Sequence, residues 1–360
     1  MKQQEMKVLI AGGAGFVGSN LAISLKQRYK QYEVSVLDNL SRQGSQLNVA
    51  RLQQQGIAFH RLDTRFAGPM QKLGHFDVII DAAAEPSVLA GLDSGLDYLV
   101  RTNFNGTVNL LNLARRSGAA FLFLSTSRVY PYNNLSGLLL QDEGDTFSLG
   151  KLQPVAGVSQ SGVSEAFPIT GPRTLYGATK LSSELMVQEY HTAFGLKTVI
   201  NRCGVIAGPW QMGKVDQGVA ALWLARHYWK RPLKYIGFGG RGLQVRDMLH
   251  IDDLFRLVDY QIHHPDVVNG ETYNAGGGPQ SSASLQQLTE ICRSLTGNVV
   301  PIAASAEHRP GDIPWYITDN SRVMAATGWK PEKGVREIMT DMLRWIRENE
   351  DVLKPVLDGS

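Results

Sequence analysis

The sequence predicts an α/β protein: a doubly wound parallel sheet followed by a smaller C-terminal lobe. Three observations predict it. Short β-branched runs alternate with longer segments of helical period, a glycine triplet follows the first run, and the alternation breaks after Gly208-Pro209. The runs are Lys7–Ile10, Glu33–Leu37, Ala58–Leu62, Val78–Asp81, Phe121–Ser125 and Thr198–Arg202. Between them, "SNLAISLKQRY", "GTVNLLNLARRSG" and "KLSSELMVQEYHTAFG" place apolar residues at helical spacing and end near glycine. Alternation of this kind makes βαβ units, whose helices cover both faces of a parallel sheet. Further on, glycine and proline cluster at Gly237–Gly242, Gly276–Pro279 and Pro310–Pro314, and helical pieces return at Ser284–Thr296 and Val335–Glu348. The expected division puts residues 1–204, with about 243–270, in the sheet domain, and about 205–242 with 271–350 in the lobe.

Composition narrows the function classes. With 360 residues, 43% hydrophobic and 19% charged, the chain can bury a large core. Its formal net charge is +3, and no Lys/Arg run interleaves with aromatics, so the footprint expected of a nucleic-acid or anionic-membrane binder is missing. Small molecules are the expected partners. No apolar run approaches the roughly 18 residues of a membrane span, and a cytoplasmic location is expected. Cys203 and Cys292 are far apart, without CxxC or Cys/His clustering, which argues against a disulfide framework and against a metal site.

"AGGAGFVGSN" (11–20) follows the strand Lys7–Ile10 and opens a helix. Glycines at 12, 15 and 18 allow a tight turn and a close backbone approach, while the helix N-terminus offers N–H groups to a pyrophosphate, as in a Rossmann dinucleotide site. Twenty residues past Gly18, at the end of the second strand, stands Asp38. A carboxylate there accepts hydrogen bonds from ribose hydroxyls and repels a 2′-phosphate, so NAD is expected over NADP. Arg42 is the one feature that weakens this preference. Gly12, Gly15, Phe16, Val17, Gly18, Asp38, Asn39, Ser41 and Arg42 are thus the expected cofactor-binding residues of the first two strand ends. Asp63 and Thr64, after the third strand, are candidates for the adenine side, with a simple strand-end turn as the alternative for Asp63.

Chemistry is expected in "LSTSRVYP" (124–131) and "YGATK" (176–180). Tyr176 and Lys180, at i and i+4, share one helix face. A nearby ammonium and a positively charged nicotinamide both favour the phenolate, bringing a group that normally titrates near pH ~10 toward working pH. The tyrosine then becomes a usable general base.

Together with "QVRDMLHIDD" (244–253) and "NAGGG" (274–278), these segments resemble the extended short-chain dehydrogenase/reductase family of nucleotide-sugar epimerases and dehydratases. The resemblance covers nearly the whole chain. It implies a Rossmann domain with a substrate-binding lobe, Tyr176 and Lys180 as base and tuner, and Thr126 as the hydroxyl on the reacting sugar oxygen. It further implies that the backbone near Ala82, Ala83, Ala84, Asn103 and Ser125 lies against NAD, and that Cys203, with Tyr176 and Lys180 themselves, is cofactor-binding. Arg246 and Arg309 match positions that meet the diphosphate or nucleotide, with local salt bridges, Arg246 to Asp247 or Arg309 to Asp312, as the alternative. Gln217 is a sugar contact by resemblance only. Dehydratases of the family carry an acidic pair after the active-site threonine, where this chain has Ser127 and Arg128. The stretches 37–48 and 208–223 are most similar to the CDP-paratose 2-epimerase (CDP-tyvelose epimerase) branch, with UDP-sugar 4-epimerases and UDP-glucuronate decarboxylases as alternatives. One departure is Val205, in "RCGVIAGP", where many relatives have asparagine; it leaves the nucleotide base open. The resemblance also implies a homodimer, through helices around Tyr98–Ser117 and Lys180–Phe194 that carry apolar residues beyond one sheet-facing stripe. A non-catalytic NAD sensor on the same fold is the alternative of a different class.

Overall fold

The computed structural model describes residues 5–92, 95–213, 218–307 and 310–358. In chain order its principal elements are β1 (Lys7–Ala11), α1 (Phe16–Arg28), β2 (Glu33–Asp38), α2 (Ser45–Gln54), β3 (Ala58–Arg61), β4 (Val78–Asp81), α3 (Leu96–Val100), α4 (Gly106–Ser117), β5 (Ala120–Thr126), α5 (Leu175–Phe194), β6 (Thr198–Cys203), β7 (Val205–Ala207), α6 (Val219–Tyr228), β8 (Val245–His250), α7 (Ile251–His263), β9 (Glu271–Ala275), β10 (Ser282–Ser284), α8 (Leu285–Thr296), β11 (Trp315–Tyr316) and α9 (Val335–Glu348). The central sheet is seven-stranded and parallel, in the order β9-β6-β5-β4-β1-β2-β3. This is the doubly wound order, which reverses between β1 and β4 and opens a crevice at the carboxyl ends of those strands. Register pairs Ala11 with Leu37 and with Asp81, so the ends of β1, β2 and β4 are level.

Why these runs become interior strands follows from their composition. Val8, Leu9, Ile10, Val36, Leu37, Ile79, Ile80, Phe121 and Phe123 are all fully buried, as expected of parallel strands covered on both faces. On one side Leu9, Leu37, Ile79, Phe121 and Ile200 pack with Leu110, Leu111 and Ala114 of α4 and Val187 of α5 in a single cluster.

The chain divides into two compact units: residues 1–126, 175–202 and 255–273 form the first, and 127–174, 203–254 and 274–360 the second. Three boundaries differ from the sequence expectation. Residues 127–174 join the second unit, being built of turns, a five-residue helix at Tyr132–Ser136 and strands of two or three residues, all too short to carry periodicity. Residues 243–254, with β8, also belong to the second unit, where β8 pairs with β7, β10 and β11. Conversely Glu271–Ala275, expected to begin the lobe, supplies the seventh strand beside β6. In the second unit α6, α8 and α9 pack on one another. Among the described residues no helix is long and apolar enough to cross a membrane, and Cys203 and Cys292 are buried free thiols.

Candidate active site

At the end of β1 the backbone turns back through Gly12, whose φ of +71° is left-handed. A Cβ on Gly12 would sit 2.7 Å from the Ala82 carbonyl oxygen, and one on Gly18 only 2.4 Å from the Gly12 carbonyl oxygen. The turn is therefore backbone against backbone. Gly15 is the N-cap of α1 and gives it no side-chain cap, so Phe16 and Val17 begin a helix whose N-terminal dipole faces the crevice end of the sheet. This cradle, bounded by Ala82 and Ala83 after β4, fits a dinucleotide pyrophosphate.

Asp38 organises the neighbouring rim. One of its oxygens accepts the Ala14 N–H at 3.0 Å and the other the Leu40 N–H at 2.8 Å, which holds Leu40 in a left-handed turn at φ 59°. Burial raises its carboxyl above the usual carboxylate range against the pull of these N–H groups. A carboxylate has about four acceptor positions, so both oxygens keep capacity for ribose hydroxyls. Asn39 donates to Asp63 at 3.0 Å and accepts the Ser41 N–H at 3.0 Å. Burial opposes ionisation of Asp63, but the Arg65 side chain, with Asn39, outweighs it and holds the carboxyl at about 2. Asp63 is thus tied to Arg65, at 2.7 Å. Thr64 is buried, with its carbonyl accepting from Asn109. If the Asp38 carboxylate meets the ribose as its place at the end of β2 predicts, purified protein is expected to retain NAD(H). Asp38→Asn should shift preference toward NADP by about tenfold, or about 1.4 kcal/mol, read by cofactor titration; an unchanged ratio would count against the assignment.

On the other side of the crevice, Tyr176 and Lys180 stand one turn apart on α5 and are both buried. Lys180 is 1% exposed, its Nζ 3.9 Å from the centroid of the Phe123 ring. The charge of Lys180 also acts on Asp81, whose carboxylate accepts the Thr107 hydroxyl at 2.7 Å and the Ala83 N–H at 3.1 Å. Burial raises the Asp81 carboxyl, and Lys180, Thr107 and Ala83 pull it back. Asn103 lies in a π-helical turn, Arg101–Asn105, of the kind that often marks functional positions. Its amide bonds the backbone N–H and carbonyl of Glu85 at 2.7 and 3.1 Å and the Thr179 hydroxyl at 3.1 Å. Thr126 ends β5, buried. Ser125 turns its hydroxyl to Glu184 at 2.5 Å, and Glu184 takes the Arg202 guanidinium at 2.7 Å. Deleting one partner of such a buried pair typically costs about 3–5 kcal/mol. Asn103 and Ser125, whose backbone is expected against NAD, direct their side chains to protein partners. Thr107, Asp81, Glu184 and Arg202 are not singled out by the sequence; only the i+8 spacing of Glu184 from Tyr176 marks any of them.

In the second unit, Arg246 gives its terminal nitrogens to Val245 O, Ile313 O and Asp312, the last at 3.0 Å. Its salt-bridge partner is Asp312, the residue expected beside Arg309 in the salt-bridge alternative, rather than the adjacent Asp247. Burial lowers the Arg246 guanidinium to about 10, with Asp312 opposing and Arg128 adding to the effect. Arg128 donates to Gly311 O at 3.1 Å. Asp247 instead accepts the Gly278 N–H at 3.0 Å, inside "NAGGG". His250 caps a helix, accepting the Asp252 N–H at the start of α7. Cys203 is buried at the end of β6, and Val205 begins β7. Gln217 and Arg309 lie outside the described residues.

Residues 8–276 match the NAD dependent epimerase/dehydratase family. The chain belongs to that family. It is an enzyme of that family, and its cofactor is NAD. A CDP-paratose 2-epimerase from Salmonella typhi is 28% identical over 353 residues, covering 94% of this chain and 99% of its own. A dTDP-glucose 4,6-dehydratase from Neisseria meningitidis serogroup B is 26% identical over 377 residues, 98% of this chain and 97% of its own. The UDP-glucose 4-epimerase of Thermus thermophilus, solved in complex with NAD, aligns with a TM-score of 0.76 at 25% identity over 95% of this chain and 99% of that one.

Proposed function

We propose that this family member is an epimerase of a nucleotide-diphosphate sugar, acting by transient oxidation of a ring carbinol to a ketosugar and re-reduction on the opposite face, in the manner of a CDP-paratose 2-epimerase. The observation that carries the reading is the residue set itself: Thr126, Tyr176 and Lys180 are all present, while Ser127 and Arg128 stand where water elimination needs an acid and a base. Similarity to the CDP-paratose 2-epimerase along almost its entire length supports it. The likeness to a UDP-glucose 4-epimerase favours, as a second reading, 4-epimerisation of a UDP-sugar, and Val205 in place of asparagine leaves the nucleotide base open between the two.

In this reading the first unit holds NAD and the second the nucleotide sugar. The glycine turn and α1 N-terminus hold the pyrophosphate, and Asp38 the ribose. Bound NAD supplies the hydride acceptor and donor for the oxidation and its reversal. Tyr176 takes the proton of the reacting hydroxyl and later returns it, Lys180 favours the phenolate, and the Thr126 hydroxyl orients the same sugar oxygen. Arg246 has five N–H donors, of which three go to the oxygens named above; the remainder, with Arg309, serve the diphosphate.

A panel of CDP-paratose, UDP-glucose, UDP-glucuronate and dTDP-glucose, with products read by NMR, tests the reading. Inversion at one ring carbon is expected, and a deuterium placed on that carbon stays there. Washout of the label, or loss of water from dTDP-glucose, would overturn it. The enzyme is further proposed to be a cytoplasmic homodimer through α3–α4 and α5, supported by Leu185, 53% exposed on α5, and by the exposed Val100 and Phe194. Light scattering at micromolar concentration should give twice the 39.6 kDa chain mass; a monomer would count against it.

A further inference from the structure

Tyr176, Lys180 and Glu184 recur at every fourth residue along α5, so one helix face carries the proposed base, its tuner and a third charged group with no part in the chemistry above. Glu184 is 1% exposed. Its Oε1 accepts the Ser125 hydroxyl at 2.5 Å and the Arg202 Nε at 3.2 Å, and its Oε2 accepts the Arg202 Nε and Nη2 at 3.0 and 2.7 Å. Ser125 immediately precedes Thr126 at the carboxyl end of β5, and Arg202 is the penultimate residue of β6. One carboxylate therefore binds the ends of two adjacent strands to the helix bearing Tyr176. Charges are costly to bury, and a well-packed apolar trio fills similar space at no loss of stability. What the trio supplies that apolar residues cannot is direction. Oε1 of Glu184 binds both strand ends and Oε2 the Arg202 end alone, and a charge-assisted O–H···O bond directs the Ser125 hydroxyl toward the helix.

We propose that Glu184 is a positioning residue: through Ser125 it sets the Thr126 hydroxyl relative to the Tyr176 phenol. The inference rests on the reading of Thr126 and Tyr176 given under Proposed function, and it adds a role that neither of them performs.

A double-mutant cycle distinguishes this from a merely structural ion pair. Glu184→Gln keeps the shape and one acceptor oxygen but turns an amide N–H₂ toward a donor. Ser125→Ala removes one hydroxyl and leaves the Glu184–Arg202 pair intact, so it carries the test if the glutamine variant fails to fold. The substrate is whichever of CDP-paratose, UDP-glucose, UDP-glucuronate and dTDP-glucose is turned over fastest. Each variant is expected to lower kcat about tenfold, with KM and NAD affinity unchanged within about twofold, because misplacement acts on the reaction and not on ground-state binding. In a Thr126→Val background the same changes should alter kcat by less than about twofold, since the geometry they set is already lost. Equal factors in both backgrounds, or NAD affinity falling in step with kcat, would overturn the proposal. A Thr126→Val enzyme with undiminished kcat, or no turnover of any probe, would instead remove the functional reading, and the inference with it.

Discussion

Tyr176→Phe is expected to lower turnover at least ~100-fold, the lower end of what a positioned general base contributes. The phenylalanine fills the same buried space on α5, so the fold and the glycine turn are undisturbed, and NAD should co-purify as in the parent. Loss must therefore appear in kcat with the cofactor content unchanged. The companion variant, Lys180→Met, gives the sign of the electrostatic effect. Removing the ammonium raises the phenol's pKa, so less phenolate is present at a given pH and the rising limb of activity moves to higher pH. Full activity of the phenylalanine enzyme would mean that another group takes the proton. A Lys180→Met limb that stays in place would mean that the lysine does not tune it.

Gly18→Ala should have a comparably large effect, on binding rather than turnover. Its Cβ would lie 2.4 Å from the Gly12 carbonyl oxygen and 2.8 Å from the Gly13 Cα, and neither is the yielding tip of a side chain. The turn can accept the methyl only by opening, which withdraws the α1 N-terminus from the pyrophosphate. NAD affinity is expected to fall at least about 100-fold, or about 2.8 kcal/mol, by calorimetric titration. The far-ultraviolet circular dichroism should be retained, because the strands and helices around the turn are unchanged. Unaltered affinity would show that the close approach is not what holds the cofactor.

How far the molecule can be read in advance depends on whether a feature is periodic. β1, β2, β4, β5 and β6 are β-branched or aromatic runs buried on both faces, and each agrees with its expected span within a residue or two at either end. The seventh strand, "ETYNA", reads as lobe because it is half polar; its Asn274 is held by side-chain bonds to Tyr130 and Val163, far away in sequence. Residues 127–174 are hidden for a similar reason: strands of two or three residues leave no period to detect. At the site, motif residues are visible because their spacing is local: the glycine turn, Asp38, and Tyr176 with Lys180. The groups that support them are not. Glu184 meets Ser125 across 59 positions, and Thr107 meets Asp81 across 26, contacts that only the folded sheet creates.

The Asn103 amide, by gripping Glu85 on one side and Thr179 on the other, makes the loop after β4 and the helix that bears the tyrosine parts of one mechanical unit. Filling the crevice beside Ala82–Ala84 is therefore expected to steady the Tyr176 turn through Asn103 as well as through any direct contact with the cofactor. By linkage, a ligand that binds only the folded arrangement raises its stability as RT ln(1 + [L]/Kd). Occupancy of the crevice and rigidity of the Tyr176 turn are then a single equilibrium: an enzyme stripped of NAD should lose amide-exchange protection along 175–184 as well as around the glycine turn, and regain both together when NAD is restored.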